Sequence, residues 1–197
     1  MKNMETGIKD SKREIRKAVL KLRDSLTMEE REKASLLLTE RILGHQWFYR
    51  AEEFLCFVSY GSEIGTREIL VEALKAGKKV YVPKVLSGSE NPEMRFYRMT
   101  ALTELETGYR GIPEPAGDSE EYVYFRETAE RTLMLMPGVA FDRYRNRIGY
   151  GKGFYDRFLM NKPVLQQHTI AIGYCCQIVD ALPAEDTDMK PYQVICV

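Results

Sequence analysis

The sequence predicts an α/β fold with a mostly parallel sheet. Apolar Phe54–Tyr60 is followed by a helical-period segment capped at Thr66 and carrying Ile69, Leu70, Ala73 and Leu74, then by Val80–Pro83 after Gly77. That order is a βαβ unit, whose crossover makes its two strands parallel and leaves ligands to bind beyond their carboxyl ends. Further strand-like runs, Leu133–Met136, Thr169–Gly173 and Val194–Val197, follow in the second half. A chain of 197 residues, 44% hydrophobic and 29% charged, suits one core, so a single domain over 1–197 is expected.

Charge and composition narrow the function. Lys+Arg and Asp+Glu are both 29, so no basic excess points to nucleic acid or to an anionic membrane. No apolar run reaches the roughly 18 residues a bilayer demands, and the first residues lack a signal-like apolar stretch. A cytoplasmic monomer acting on small molecules is the expectation. Cys56, Cys175, Cys176 and Cys196 show no CxxC spacing and are expected reduced and buried, while His45 and His168 read as structural.

In chain order, Ser11-Lys12-Arg13-Glu14 has the form of a capping box, which predicts a helix from Ser11 to about Ser25 with Lys12 in its first turn. Its apolar seam is Ile15, Val19, Leu22 and Leu26; Lys12 extends the seam and Arg16 follows one turn on, whereas Lys9, Arg13, Lys17, Lys21 and Arg23 fit a solvated basic face. Lys12 and Arg16 are equally compatible with that face or with a phosphate. A second box, Thr27–Glu30, opens a helix with Ala34, Leu37, Leu38 and Ile42 inward and Gly44 at its end. Trp47, Phe48 and Tyr49 read as core. The loop Ser59–Gly65 lies beyond the first strand and offers one carboxylate, Glu63. Met94–Met99 is a strand after the polar turn Ser87–Pro92, and Gly108–Gly117 reads as an ordered loop in which Pro113-Glu114-Pro115 is stiff and extended, with few ways to join a sheet or helix. Glu185, Asp186 and Asp188 form an acidic patch before the last strand, suited to water or to a divalent cation shared with phosphate.

The chemistry concentrates in Pro137–Leu159, PGVAFDRYRNRIGYGKGFYDRFL. Pro137-Gly138 stops a strand; Gly149, Gly151 and Gly153 then alternate with Tyr150, Lys152 and Phe154, so that backbone N–H groups approach a ligand between side chains able to grip it. Phe154, Tyr155, Phe158 and Leu159 recur at helical spacing after Gly153, with Asp156 in the first turn. The pattern predicts an anion-binding loop, with phosphate as the anion. It is neither a P-loop, because Gly153 follows Lys152, nor a dinucleotide fingerprint, because Phe154 stands at the third glycine.

This stretch closely resembles the signature of the 5-formyltetrahydrofolate cyclo-ligases, and Lys12-x-x-x-Arg16, Glu63-Ile64-x-Thr66, Gly111-x-x-Glu114-Pro115 and Gln177…Leu182-Pro183…Asp188 follow in the family's order. The resemblance implies a three-layer α/β/α fold similar to ribose-phosphate isomerase and CoA-transferase domains. It also implies conversion of 5-formyltetrahydrofolate to 5,10-methenyltetrahydrofolate with ATP as co-substrate and Mg²⁺ as cofactor, releasing ADP and phosphate. The implied ATP-binding residues are Lys12, Arg16, Arg147, Gly149, Gly151, Lys152, Gly153 and Tyr155, with Lys152, Arg147 and Tyr155 at the transferred group. Val58, Glu63, Tyr150, Gly151, Lys152, Gly153 and Phe154 would face the folate, and Asp156 and Asp188 the metal. Two positions depart from the family pattern: Arg145 stands where glycine is usual and Thr187 where histidine is frequent. A relative that binds nucleotide, folate or RNA without turnover is the alternative, against which the intact cations and carboxylates argue.

Overall fold

A computed structural model of the chain describes residues 2–88, 91–116 and 119–197, with side chains from residue 7 onward. The chain opens with three helices, α1 (Lys2–Asp24), α2 (Met28–Leu43) and α3 (Gln46–Arg50), followed by β1 (Glu53–Cys56), α4 (Arg67–Lys75), β2 (Lys79–Leu86) and β3 (Glu93–Met99). Two short strands, β4 (Leu105–Thr107) and β5 (Pro113–Pro115), precede β6 (Thr132–Met136), β7 (Ala140–Asp142) and β8 (Arg147–Ile148). The remainder is α5 (Phe154–Leu159), α6 (Pro163–Gln166), β9 (Thr169–Gly173), β10 (Ile178–Val179) and β11 (Gln193–Cys196).

The main sheet has the order β11-β9-β6-β1-β2-β3, parallel throughout except for the antiparallel β2–β3 edge. Side chains alternate across it. Phe54 and Cys56 of β1, Leu133 and Leu135 of β6, and Ile170 and Ile172 of β9 meet Leu38 and Ile42 of α2, Phe48 of α3, and Ile69, Leu70 and Ala73 of α4. Leu55, Met134, Met136 and Ala171 point the other way, onto Phe96, Leu159 of α5 and Leu165 of α6. Two covered faces make the three-layer arrangement, and strands apolar on both sides are what a parallel sheet requires. Each fully buried leucine or phenylalanine contributes about 1.5–3 kcal/mol, so this double core holds the layers together.

A smaller sheet, β10-β7-β8, stands beside the main one. Val139, Ala140, Ile148 and Leu182 of this region receive Val19 of α1. That contact lays α1 against the segment that carries the glycine loop.

Several elements differ from the sequence reading. Helix α1 begins at Lys2, so Ser11 is internal and Lys12 lies in mid-helix rather than in a first turn; the residues before Ser11 include no proline, and a single Gly7 is insufficient to stop the helix. The second capping box forms: Glu30 N–H donates to Thr27 Oγ1 at 3.2 Å and Thr27 N–H to Glu30 Oε2 at 2.7 Å. Leu37, expected inward, is exposed, as is Tyr49, while Phe48 alone of its aromatic trio is buried. β1 ends at Cys56, three residues after its start, because the following segment turns into the loop beyond the sheet. Thr66 precedes α4 without capping it; its hydroxyl instead donates to Phe57 O and accepts from Ser59 N–H, at 2.8 and 2.9 Å.

The stiff Pro113–Pro115 segment does join a sheet, pairing antiparallel with Leu105–Thr107. A two-stranded ribbon leaves an edge on which proline needs no ladder N–H. The readings that include Ser89, Glu90 and Gly117 fall partly outside the described residues. All four cysteines are free, but only Cys56 is buried and Cys175 is exposed.

Candidate functional site

The carboxyl ends of β1, β2 and β6 open into one cavity of about 1070 Å³. It is lined by residues of α1, of the loop after β1, of the β4–β5 ribbon, of the glycine loop, and of the acidic segment before β11. All fourteen residues singled out from the sequence line it: Lys12, Arg16, Val58, Glu63, Arg147, Gly149, Tyr150, Gly151, Lys152, Gly153, Phe154, Tyr155, Asp156 and Asp188. Residues from five separated segments thus converge at the edge of the sheet where α/β folds take ligands.

Helix α1 supplies one wall because Lys12, Arg16, Val19 and Arg23 recur at intervals of four, three and four, on a single helical face. Val19 is anchored in the small sheet, and the cations on either side of it turn into the cavity. Lys12 Nζ lies 2.7 Å from Glu185 Oε2 and 2.6 Å from Asp188 Oδ2. Burial alone would lower its pKa, but the hydrogen bonds and charges of Asp188 and Glu185 raise it, so Lys12 stays an ammonium. Arg16 Nε donates to Gly149 O at 2.8 Å, tying α1 to the glycine loop, and Arg16 is partly desolvated there.

The glycine loop needs glycine for its shape at two positions, since Gly151 and Gly153 have φ of +88° and +63°. Gly153 leads directly into α5. At the root of the loop, Arg147 is buried and its Nη2 donates to Asp156 Oδ1 at 3.0 Å, while Met189 N–H donates to the same oxygen at 3.0 Å. The guanidinium also lies over the Tyr155 ring, 5.5 Å from its centroid. Burial pushes the Tyr155 phenol well above its ordinary pKa, so it remains a neutral donor. Lys152 is exposed, and its ammonium has no partner among the described residues. Phe154 meets Tyr109 edge-on and carries Arg157 over its ring at 5.3 Å, so one aromatic surface expected to meet ligand is partly occupied.

The opposite wall is polar. Glu63 Oε2 accepts from Tyr60 N–H at 3.0 Å and Oε1 from Tyr150 O–H at 2.9 Å. Burial pushes the Glu63 pKa up, partly offset by those two bonds and by the charge of Arg23. Val58, which also lines the cavity, is buried.

The carboxylates expected to face metal are not gathered into a cage: among the described residues no group of three or more His, Cys, Asp or Glu could hold an ion. Asp156 Oδ1 and Asp188 Oδ2 are engaged by cations and backbone N–H groups, the latter accepting Glu185 N–H at 2.8 Å. Their other oxygens, Asp156 Oδ2 and Asp188 Oδ1, accept nothing among the described residues. That donor set fits Mg²⁺ as it commonly binds, through one or two carboxylates with water and substrate phosphate.

Sequence reading missed Arg23, Glu185 and Asp142. Arg23, assigned to a solvated face, is buried; extending the α1 seam by four residues from Val19 would have found it. Glu185 was visible only as one of several acidic residues. Asp142 is buried at the turn before Arg147 and accepts from Tyr144, Asn146 and Leu182 N–H groups and from the Asn146 side chain, at 2.8–2.9 Å. Arg145 in that turn has φ of +64°, which explains why glycine suits the position; its Nη1 donates to Tyr192 O at 2.8 Å.

No helix among the described residues is long and apolar enough to cross a membrane. The model of the 5-formyltetrahydrofolate cyclo-ligase family matches residues 8–197. A probable 5-formyltetrahydrofolate cyclo-ligase of Caenorhabditis elegans is 33% identical over 197 residues, spanning 96% of this chain and 94% of the relative. The 5-formyltetrahydrofolate cyclo-ligase of Escherichia coli K12 is 29% identical over 167 residues, spanning 85% and 90%. Among solved structures, a 5,10-methenyltetrahydrofolate synthetase of Aquifex aeolicus superposes with a TM-score of 0.74 at 29% identity, over 91% of this chain and 86% of the other.

Proposed function

We propose that this chain, which belongs to the 5-formyltetrahydrofolate cyclo-ligase family, converts 5-formyltetrahydrofolate to 5,10-methenyltetrahydrofolate at the expense of ATP, as one domain spanning residues 1–197. The observation that carries the reading is the convergence in one cavity of a cationic wall, a glycine loop and a carboxylate wall. Two anionic or polar substrates need all three.

A formamide carbon is a poor electrophile and its oxygen a poor leaving group. Transfer of the ATP γ-phosphoryl to the formyl oxygen corrects both faults and releases ADP. The N10 lone pair then attacks the formyl carbon, the C–O bond breaks, and phosphate leaves with the former formyl oxygen as N10 loses its proton. Catalysis is chiefly positioning and charge neutralisation.

In this assignment Lys12, Arg16 and the N–H groups of Gly149, Gly151 and Gly153 receive the nucleotide phosphates. Lys152, exposed and with its ammonium unpartnered among the described residues, contacts the transferred group. Tyr155 donates a neutral O–H beside it, and Arg147 acts from beneath by fixing Asp156. Mg²⁺, when bound with the phosphates, supplies further charge neutralisation, and Asp156 and Asp188 would hold it. Val58, Glu63, Tyr150 and Phe154 border the folate. Glu63 is suited to accept from ring N–H groups, because both of its oxygens already accept hydrogen bonds in a fixed orientation. We expect action on small molecules alone, as a cytoplasmic monomer.

The test is direct. Purified protein with Mg²⁺, ATP and 5-formyltetrahydrofolate is expected to develop the near-ultraviolet absorbance of the methenyl product, with one ADP formed per turnover. Folded protein that binds both substrates yet produces neither signal would overturn the reading.

A further inference from the structure

We infer that Arg23 is a positioning residue for the folate side of the cavity, holding Tyr150 and Glu63 through a guanidinium–phenol–carboxylate relay. The inference rests on the folate assignment of that wall.

Arg23 is only 4% exposed. A buried guanidinium ordinarily needs a carboxylate, since a charge taken out of water without a partner is strongly disfavoured. Among the described residues Arg23 forms no ion pair. Its Nη2 donates instead to Tyr150 Oη at 2.9 Å, and its Nε to Ser62 Oγ at 3.0 Å. Tyr150 has a single hydroxyl proton. Because its oxygen accepts from Arg23, that proton is free for Glu63, whose Oε1 lies 2.9 Å away. The positive and negative charges are thus joined through one phenol oxygen.

The relay fixes two things that a folate site requires. Tyr150 is on the glycine loop and Glu63 on the loop after β1, and no regular hydrogen-bond ladder joins those loops. Arg23 ties both to α1, with Ser62 also bonded to Asp24. It also sets the direction of the Tyr150 O–H, and with it the orientation in which the Glu63 carboxylate is presented. Lys12 and Arg16, by contrast, reach the cavity from the same helix without passing through this relay. Removing Arg23 should therefore affect one ligand and spare the other.

The experiment measures binding of 5-formyltetrahydrofolate and of Mg·ATP separately by calorimetry, with Michaelis constants for each, on the full chain and on Arg23→Gln, Arg23→Lys, Tyr150→Phe and the Arg23→Gln/Tyr150→Phe pair. The expected result is a loss of folate affinity of about tenfold in Arg23→Gln, a factor equal to ~1.4 kcal/mol, with ATP affinity within about twofold of the wild-type value. Arg23→Lys should recover part of the loss. In the double variant the folate effect should be far below the product of the single effects, because both residues act through one relay. Equal losses for both ligands, or effects that multiply, would show that Arg23 is merely structural. Should Arg23→Gln fail to fold, Arg23→Lys and Tyr150→Phe decide the matter by the same folate-against-ATP split. Wild-type protein that binds both ligands without turning over would contradict the proposed reaction and leave this comparison readable.

Discussion

The root and the rim of the glycine loop are built in opposite ways. At the root, Arg147 and Asp156 are paired at 3.0 Å with side-chain exposures of 4% and 25%, and Met189 N–H adds a second bond to the same carboxylate oxygen. At the rim, Lys152 is exposed and its ammonium engages nothing among the described residues. A paired, buried charge belongs to the fold as much as to the chemistry. An unpaired charge at a cavity mouth contributes little to folding and is available to a ligand. Loss of a root residue should therefore unfold the site, and loss of the rim lysine should only slow turnover.

Asp156→Ala should give the largest change, because it strikes both functions. Turnover should fall by about a hundredfold, and stability by about 2 kcal/mol, less than for a fully buried pair because Asp156 is partly exposed. Urea unfolding monitored beside the absorbance assay checks both, and a variant as stable as the wild type would remove the distinction between root and rim. Lys152→Ala should show a similar, roughly hundredfold fall in turnover with an unchanged unfolding midpoint. Loss of stability there would show that the lysine belongs to the fold after all.

The root can also be probed by pH. Burial raises the pKa of Asp142, but its four hydrogen bonds outweigh that and leave it below the ordinary value. A depressed carboxyl stabilises the fold above its unfolded pKa of about 3.9 and ceases to do so as pH falls through the folded value. Wild-type stability should therefore decline below about pH 4, and Asp142→Asn should flatten that decline while lowering the plateau near neutrality. An unchanged acid profile in Asp142→Asn would place the titration elsewhere. The smallest effect is expected from Arg145→Gly. Glycine relieves the positive φ but forfeits the bond to Tyr192 O, so the net change should lie within about 1 kcal/mol. A larger loss would show that the arginine, rather than the turn, holds this corner.

The same contrast governs what could be read from the sequence. Strands such as Leu133–Met136 and Thr169–Gly173 were legible because burial on both faces leaves a continuous apolar run. The glycine loop was legible because its backbone geometry restricts residue type at Gly151 and Gly153. Lys12 could be placed on the inward seam of α1, but the start of that helix could not, since a capping-box pattern also occurs inside helices when nothing interrupts them. Arg23 was hidden for a physical reason: its partners, Ser62 and Tyr150, are 39 and 127 residues away, and local spacing carries no information about such contacts. The ribbon of β4 and β5 was missed because its pairing depends on a neighbouring strand, whereas Pro113 and Pro115 alone argue against one.

The proposed reaction carries the γ-phosphoryl of ATP to the formyl oxygen of the folate. It is tested most directly with substrate carrying heavy oxygen in the formyl group. A single turnover should deliver that label into the inorganic phosphate released. Label recovered in water, with unlabelled phosphate, would contradict it.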